Sequence, residues 1–396
     1  EVGRLTHRRS PLHGVFALDP IVSKIAPRSI PVARPYLAGR KGKFLADCLE
    51  NAWVSGGKYV ERFEAMIASQ NSELPDVHGV ACNSGTTALH LALKAIRVLP
   101  GESVILPTLT MVAVANAVRY CNANPRFVDS LEYDGNMSPV ESIGPLINGD
   151  VKAIIVPHLY GSVSCVSRKL RELGYEGWII QDCAESHYAT TAGRLLLQHE
   201  RDVLTFSFYA NKIIATGEGG MVVCACETMA ERLRSLRAHA FTPGNHFHHQ
   251  ELAFGYRMTD LQAAIGIAQC ERYRKLLRLR QRHAIQYFQR LADIPWLEFP
   301  GRSNGGVWWV FPILVRREWS DRVSVERVRE VLADRGIETR RYFTPLHLQP
   351  HLQEFALPHQ TFPVACDLHQ RGLYLPLYVG LRTDDTDYVC DAVRSV

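Results

Sequence analysis

The chain has 396 residues, of which 46% are hydrophobic and 21% charged, so it can bury the core of two or three soluble domains. The net charge of +5 is small and the basic residues are spread along the chain, which argues against a nucleic-acid-binding protein. No stretch approaches about 18 consecutive apolar residues, so the sequence predicts no membrane span.

The ten cysteines show no C-x-x-C spacing, and we expect no bound metal. His246 and His248 have a strand-type spacing for metal ligands, but no third ligand is evident near them. Cys224 and Cys226 lie in an apolar run, which is typical of free thiols in a reducing cytoplasm. No apolar segment follows the basic first ten residues, so a signal peptide is not expected. The sequence therefore predicts a cytoplasmic protein.

Residues 1–30 carry no clear period and are predicted to form an arm. Helices are then predicted at 58–70 and 86–97, where apolar residues keep the helical spacing. Short apolar runs predict strands at 103–106, 126–128, 152–156, 178–181, 203–206 and 220–224. Strands alternating with helices indicate an α/β fold with a mostly parallel sheet, whose ligands bind at the carboxyl ends of the strands.

The pattern of residues 260–291 predicts one long helix or two consecutive helices, with Asp260 as the N-cap. The basic residues at 272–282 indicate a solvated face of that helix. Beyond it, 307–315 is rich in β-formers, and 325–334 predicts a helix that Gly336 ends. We therefore predict a large domain over 31–270 and a smaller α+β domain over 271–396.

The segment NSGTTALH (83–90) precedes and begins a predicted helix. Free N–H groups and the helix dipole make such a position an anion site. Gly85 allows close approach of a ligand, and the hydroxyls of Thr86 and Thr87 add donors. A plain Ser/Thr helix cap is the alternative. The segment is neither a Walker loop nor a G-x-G-x-x-G motif.

Two further segments point to pyridoxal chemistry. Asp182 ends an apolar strand, where a carboxylate can pair with a protonated heterocyclic nitrogen; an Asp that caps the next turn is the alternative. Lys212 stands alone among apolar and aromatic residues, five positions after Ser207. Desolvation lowers the pKa of such a lysine and makes it a nucleophile, whereas the alternative is a lysine that snorkels from a strand end.

The segment TRRYFTPLH (339–347) combines arginines, aromatic residues and a histidine. Arg340 and His347 suit an anionic or polyhydroxylated substrate, and a surface turn around Pro345 is the alternative. Together, the anion site, the strand-end carboxylate and the lysine occur in the order that one cofactor, pyridoxal 5′-phosphate, requires. The short separation between Asp182 and Lys212 predicts that both lie at the same edge of the sheet.

At this point the sequence resembles the DegT/DnrJ/EryC1/StrS sugar aminotransferase family, which has the aspartate aminotransferase fold (fold type I). The resemblance runs from about Ile30 to the C-terminus. The stretches that carry it are NSGTTALHLAL (83–93), PTLT (107–110), PHLYG (157–161), QDCAES (181–186), TFSFYANKIIATGEGG (205–220), YRMTDLQAAIG (256–266) and TPLH (344–347).

The resemblance implies a role for individual residues. Lys212 would bind the cofactor covalently and carry the proton, Asp182 would hold the pyridinium nitrogen, and Glu185 would lie near the ring's O3′. The residues implied to bind the phosphate or cover the ring are Gly85, Thr86, Thr87, Ser207 and Met111. The substrate contacts are predicted at Trp53, Ser55, Tyr160, Arg257, Arg340 and His347.

The resemblance also implies a large domain with a seven-stranded sheet, and a homodimer with shared active sites. The expected reaction converts a nucleotide-linked keto-deoxy sugar, in particular a GDP-linked 4-keto-6-deoxy sugar, to an amino sugar. L-Glutamate is the expected donor, and pyridoxamine phosphate the expected intermediate form of the cofactor.

Two alternatives remain within the resemblance. A sugar dehydratase of the same fold would carry His in place of Lys212, and a degenerate member would bind the cofactor without catalysis. Two residues depart from the family pattern. Met111 replaces an aromatic residue that stacks on the ring, and Gly255 replaces an Asn that reaches the phosphate from the neighbouring subunit. Both replacements predict looser cofactor binding.

Overall fold

The structure, a computed structural model, describes residues 28–242, 244–357 and 359–396, so most of the predicted arm (1–30) lies outside it. Its helices are α1 Lys41–Glu50, α2 Lys58–Ser69, α3 Gly85–Ala95, α4 Ala113–Tyr120, α5 Val140–Ile143, α6 Val166–Glu172, α7 Glu227–Arg237, α8 Asp260–Cys270, α9 Tyr273–Leu291, α10 Val325–Asp334, α11 Pro363–Arg371 and α12 Thr383–Arg394. Its strands are β1 His78–Cys82, β2 Ser103–Pro107, β3 Asn124–Val128, β4 Val151–Pro157, β5 Trp178–Asp182, β6 Thr190–Thr191, β7 Arg194–Leu195, β8 Asp202–Ser207, β9 Gly220–Cys224, β10 Phe241–Thr242, β11 Asn245–His249, β12 Leu297–Glu298, β13 Phe311–Val315, β14 Arg340–Arg341 and β15 Gly372–Leu375.

A seven-stranded sheet forms the centre of the molecule, in the order β1-β9-β8-β5-β4-β2-β3. Strand β9 runs antiparallel to both of its neighbours, and the other pairs are parallel. Every residue of β2, β8 and β9 is buried, as expected where helices cover both faces of a parallel sheet. The predicted α/β fold with a mostly parallel seven-stranded sheet is confirmed.

The sequence pattern found six of these seven strands and missed β1. This strand reads HGVAC, so Val80 is its sole β-branched residue, and Gly79 and Ala81 have low strand propensity. Tertiary pairing with β9 decides its conformation: His78 lies opposite Cys224 and Cys82 opposite Gly220.

The predicted helical region 260–291 forms two consecutive helices, α8 and α9. Asp260 is not the N-cap, because Thr259 caps α8 in a reciprocal capping box: its hydroxyl accepts the Gln262 N–H (3.2 Å), and the Gln262 side chain accepts the Thr259 N–H (3.0 Å). Asp260 is buried and accepts the backbone N–H of Val60 at 2.9 Å.

The solvated face predicted for 272–282 has one exception. Arg280 is 3% exposed, and its guanidinium donates to the carbonyls of Trp309 (2.8 Å) and Leu377 (3.0 Å). The end of α10 is as predicted, since Gly336 follows it with φ +71°. The β-rich run 307–315 yields the shorter strand β13.

The C-terminal part has its own antiparallel sheet, in the order β12-β13-β15-β14. A separate apolar core lies between this sheet and helices α9, α10 and α12, and Ile30 joins it by pairing with Ile337. The division at residue 270 stays a prediction. All ten cysteines lie in described segments, and none forms a disulfide. Within those segments, no helix is long and apolar enough to cross a membrane.

Candidate active site

A cavity of about 340 Å³ lies where the parallel strands of the central sheet end. Segments that follow β1, β2, β4, β5 and β8 form its floor and one wall, and the C-terminal part supplies the other wall. This is where parallel α/β sheets bind their ligands. The residues that line it include Ser84, Gly85, Thr86, Thr110, Met111, His158, Asp182, Glu185, Ser207, Tyr209, Asn211, Lys212, Glu218, Trp309, Arg340, Phe343 and Tyr374.

The N-terminus of α3 faces this cavity. Ser84 and Thr87 form a capping box, in which the Ser84 hydroxyl accepts the Thr87 N–H (3.2 Å) and the Thr87 hydroxyl accepts the Ser84 N–H (3.1 Å). The Thr87 hydroxyl also donates to Asn83 Oδ1 at 2.8 Å, so it serves the helix cap. The first-turn N–H groups of Gly85 and Thr86 have no partner within the helix. The cap interpretation therefore holds for Ser84 and Thr87, and the anion site at Gly85 and Thr86 stays a prediction.

Gly85 packs directly against the end of β8. A Cβ added at Gly85 would lie 2.7 Å from the Cβ of Ser207 and 3.1 Å from its hydroxyl. The absence of a side chain thus brings the helix N-terminus and the Ser207 hydroxyl to the same point of the cavity wall. The two groups form a compact set of hydrogen-bond donors for an anion.

Asp182 ends β5 at the bottom of the cavity. Its Oδ1 accepts the N–H of Ala184 at 3.0 Å, and among the described residues no donor reaches its Oδ2. Desolvation raises the pKa of this carboxyl, an effect that the nearby Lys212 opposes. A half-buried carboxylate with an unused oxygen suits a cationic N–H donor of a ligand.

Lys212 and Glu185 face each other across the cavity. Lys212 Nζ lies 3.8 Å from Glu185 Oε1, and both side chains are largely buried. Burial lowers the pKa of Lys212, while Glu185 and Asp182 act in the opposite direction. Burial raises the pKa of Glu185 to about 7, against the opposing charge of Lys212. These opposite shifts narrow the difference in proton affinity between the two groups, so the pair can share a proton.

Replacing Glu185 with Gln is expected to change how stability depends on pH. Because the folded pKa lies above the unfolded value of 4.5, the wild type loses stability as pH rises from about 4.5 to about 7. The Gln variant lacks this loss, so its unfolding free energy relative to wild type should rise by about 1–3 kcal/mol across that window. Denaturant unfolding of the cofactor-free proteins at pH 4.5 and 7.5 measures the difference, and parallel pH curves would contradict the assignment.

Tyr160 contributes its backbone to this site. Its N–H donates to Glu185 Oε2 at 2.7 Å, from a left-handed conformation with φ +52°. Its ring is buried against Tyr342 and Phe343, and its hydroxyl accepts the Phe343 N–H at 2.9 Å. Tyr160, a predicted substrate contact, therefore holds Glu185 through its backbone and joins the C-terminal part to the central sheet through its side chain. The Tyr160 side chain does not line the cavity.

His187 fixes the loop that carries Lys212. Its Nδ1 accepts the N–H of Ile214 at 3.2 Å, and its Nε2 donates to the carbonyl of Ser207 at 2.9 Å. Burial, with Lys212 adding to it, lowers its pKa to about 3, so the ring is neutral and its tautomer is set by the two bonds. His187 carries no signal of its own in the sequence, although the segment QDCAES ends immediately before it.

Of the predicted substrate residues, Arg340 lines the cavity. Trp53, Ser55 and Arg257 are exposed and lie outside it, and Trp53 lines a separate surface pocket. His347 has a structural environment, because its Nδ1 is hydrogen-bonded with the Thr108 hydroxyl (2.7 Å) and its Nε2 faces Cys366 Sγ (3.6 Å). Of these five residues, the structure therefore brings only Arg340 to the cavity within this chain.

The C-terminal part also brings three aromatic residues that no sequence motif assigns individually to the site. Trp309, Phe343 and Tyr374 close one side of the cavity. Trp309 and Tyr374 lie in β-rich or apolar runs, where an aromatic residue ordinarily indicates core packing, whereas Phe343 belongs to the segment 339–347. No local spacing distinguishes them, so their place at the site depends on the packing of the C-terminal part.

The two residues that depart from the family pattern, Met111 and Gly255, lie in different surroundings. Met111 lines the cavity and is 48% exposed. The space beside Gly255 is filled by His239, whose ring would lie 3.1 Å from an added Cβ. His239 and Ala240 both have left-handed backbone conformations, with φ +66° and +48°. Gly255 thus makes room for an imidazole, and looser cofactor binding stays a prediction.

One potential metal-binding cluster lies away from the cavity. Asp76 and Glu227 each contact a different ring nitrogen of His78, at 2.7 and 2.9 Å. Both nitrogens are therefore already paired with carboxylates at the exposed edge of the sheet. His248 Nδ1 contacts the Thr242 hydroxyl at 2.7 Å. The expectation of no metal stays a prediction.

Comparison with known proteins identifies the class. Residues 36–394 match the DegT/DnrJ/EryC1/StrS aminotransferase family, and the chain belongs to this family. It is a sugar aminotransferase that depends on pyridoxal phosphate.

Similar proteins include the GDP-perosamine synthases of Vibrio cholerae (35% identity; 92% of this chain and 98% of that protein) and Caulobacter vibrioides (36%; 93% and 98%). Among solved structures, DesV of S. venezuelae has a TM-score of 0.81 at 28% identity and covers 92% of this chain and 98% of its own. The dehydratase ColD has a TM-score of 0.84 at 22% identity, covering 92% and 100%, and shares the fold.

Proposed function

We propose that this protein transfers an amino group from L-glutamate to the 4-keto carbon of a GDP-linked 4-keto-6-deoxy sugar, with GDP-perosamine as the product. Three GDP-perosamine synthases at 35–36% identity support this substrate. The buried amine of Lys212, 3.8 Å from Glu185 at the strand ends, is the observation that carries the proposal. A dehydratase is disfavoured because a lysine occupies this position.

The cavity suits pyridoxal phosphate. The unused Oδ2 of Asp182 would accept the ring N–H, and the N–H groups of Gly85 and Thr86 with the Ser207 hydroxyl would hold the phosphate. Met111 would cover a face of the ring with its polarizable thioether, a contact of about 0.3–1.5 kcal/mol. Thr87 would support the phosphate site by fixing the helix cap.

Gly85→Ala is expected to weaken cofactor affinity about tenfold. The added Cβ would lie 2.7 Å from the Cβ of Ser207, so the helix N-terminus and the hydroxyl must move apart. The loss corresponds to one hydrogen bond to a charged acceptor, on the order of 1.5 kcal/mol. Titration of cofactor-free protein with pyridoxal phosphate measures the affinity. Gly42→Ala is the control, since its Cβ meets nothing within 4 Å; equal affinities for both variants would contradict the phosphate assignment.

Bound pyridoxal phosphate supplies an aldehyde that condenses with amines and a ring that accepts electrons from the substrate carbon. Lys212 Nζ takes the proton from the carbon of the amino donor and returns one to the sugar carbon that receives the amine. Its lowered pKa favours the neutral amine that can accept a proton. Glu185 receives or returns a proton at Oε1, and Asp182 keeps a negative charge beside the ring nitrogen.

Arg340 is proposed to bind an anionic group of a substrate. It lies on β14 beside Tyr374, and its guanidinium is 3.4 Å from Glu338. Apart from Lys212, it is the one Lys or Arg among the cavity-lining residues. A single guanidinium next to a carboxylate matches the single charge of an amino-acid carboxylate better than a diphosphate.

We further propose a homodimer. Met111 and Tyr209 line the cavity and are each 48% exposed, and Trp53, Phe247 and Leu252 add exposed apolar surface. A second copy that covers these residues would bury apolar area and shield the cavity from water. Sedimentation of the purified protein at micromolar concentration tests this, and a monomer would contradict it.

The substrate is tested by incubating the protein and cofactor with the GDP-linked 4-keto-6-deoxy sugar and ¹⁵N-labelled L-glutamate. We expect GDP-perosamine that carries the label, detected by mass spectrometry. A UDP-linked 4-keto sugar and unlabelled donors serve as comparisons. Labelled product from the UDP sugar alone would contradict the nucleotide assignment, and loss of the sugar hydroxyl at C3 without amination would indicate a dehydratase.

A further inference from the structure

Trp309 closes the cavity on the side opposite the central sheet. Lys212 Nζ lies 4.1 Å from the centroid of its indole ring, in a cation–π geometry. The indole N–H donates to the carbonyl of Asn211 at 3.0 Å, and the ring is 3% exposed. The backbone carbonyl of Trp309 accepts a hydrogen bond from the buried Arg280 at 2.8 Å. Trp309 is therefore held by hydrogen bonds both at its backbone carbonyl and at the indole N–H.

We propose that Trp309 is a positioning residue for Lys212. The indole ring holds the Lys212 amine between the ring and Glu185, and the indole N–H anchors the ring to the loop that carries Lys212. The inference deepens the proposed function, because it concerns the amine that moves the proton. The hydrogen bond is to the residue directly before Lys212, so the ring and the loop form one unit. Nothing in the sequence marks this tryptophan, which lies in a β-rich run.

The physical reason is the freedom of a lysine side chain. Fixing a free lysine side chain in one conformation costs up to about 2 kcal/mol of rotamer entropy. A displacement of the amine by even about 1 Å slows proton transfer strongly. Glu185 bounds the amine on one side at 3.8 Å, and the Trp309 ring bounds it on another at 4.1 Å. The Trp309 and Tyr374 rings, 6.1 Å apart, continue this wall toward Arg340 on the neighbouring strand.

The titration of Lys212 reports on this arrangement. The charged or titratable groups that face it are Asp182 at the end of β5, Glu185 just after this strand, and the neutral His187. Glu218 and Arg340 line the same cavity. The face of an aromatic ring stabilises the ammonium form, so its removal should lower the pH at which the amine loses its proton.

Three variants test the proposal. Trp309→Leu removes the aromatic face, and Trp309→Phe keeps a face but removes the N–H anchor. Trp308→Leu is the matched control, because Trp308 is a neighbouring tryptophan that packs against Phe288 and Arg302. The first readout is the pH midpoint of the rate at which cofactor-free protein condenses with pyridoxal phosphate, one water being lost; the Lys212→Ala rate is subtracted. The second is kcat and KM for the sugar nucleotide.

For Trp309→Leu, we expect the midpoint to fall by about 0.5–1 pH unit and kcat by at least about tenfold, with KM changed less than about twofold. Trp309→Phe should keep the midpoint and lose about three- to tenfold in kcat. Trp308→Leu should keep both. An unchanged or higher midpoint in the Leu variant would overturn the proposal, as would equal effects of the two Leu variants.

If the Leu variant does not fold, the Phe variant decides alone, since an unchanged kcat would show that the anchor has no role. The midpoint needs no sugar substrate. Wild-type protein that condenses with the cofactor but aminates no GDP sugar would therefore contradict the proposed substrate and leave the test of Trp309 intact.

Discussion

Replacing Lys212 with alanine is expected to abolish amino transfer, with a loss of about 10³–10⁴-fold or more in kcat. The variant lacks the amine that lies 3.8 Å from Glu185, so it can neither bind the cofactor covalently nor carry the proton. It should still bind pyridoxal phosphate, because Asp182, Ser207 and the helix N-terminus remain. Turnover of the GDP sugar and the visible absorbance of the cofactor measure the two effects separately.

The matched control is Lys169→Ala, since Lys169 is exposed on α6 and does not line the cavity. It should keep the activity and the yellow colour of the wild type. Near-wild-type transamination by Lys212→Ala would refute the assignment of Lys212. A colourless wild-type protein that binds no pyridoxal phosphate would refute the whole site.

Asp182→Asn is expected to bind the cofactor and to lose about 10²–10³-fold in kcat. A neutral amide cannot keep the ring nitrogen protonated, so the ring accepts electrons less readily. The substitution conserves shape, and the amide oxygen can still accept the Ala184 N–H, so the fold should persist. Titration with pyridoxal phosphate measures the cofactor affinity of the variant, and steady-state kinetics measure its kcat.

Asp321→Asn serves as the control, because Asp321 is exposed in the C-terminal part and lies outside the cavity. If Asp182→Asn turned over as fast as this control, the carboxylate that acts on the ring nitrogen would have to be another one. Glu185 would then be the next candidate, because it is the carboxylate that lines the cavity just after β5.

Sequence reasoning located the parts of the site that adjoin the strands of the central sheet. Asp182 and Lys212 stand at or near strand ends, and the strand pattern alone places such residues at one edge. The segment around Gly85 carries a helix-start signal that local chemistry explains. These features depend on residues close together in the chain, which is why a single sequence reveals them.

The remaining features depend on contacts between distant parts of the chain. Trp309 and Tyr374 reach the cavity because the C-terminal sheet packs against it, and no spacing predicts that packing. Arg280 resembles its solvated neighbours in sequence, yet its guanidinium is buried and donates hydrogen bonds to two backbone carbonyls from other segments. The sequence pattern predicts Asp260 as a helix cap, but its carboxylate accepts a hydrogen bond from the buried N–H of Val60. In each case a tertiary partner decides the role.

We propose that Lys212 is the amine that binds the cofactor and carries the proton in amino transfer. Its most direct test is reduction of the protein with sodium borohydride in the presence of pyridoxal phosphate, which makes the link to the amine permanent. Proteolysis and mass spectrometry then locate the modified lysine. We expect one modified site per chain, at Lys212. Modification of another lysine in place of Lys212 would contradict it.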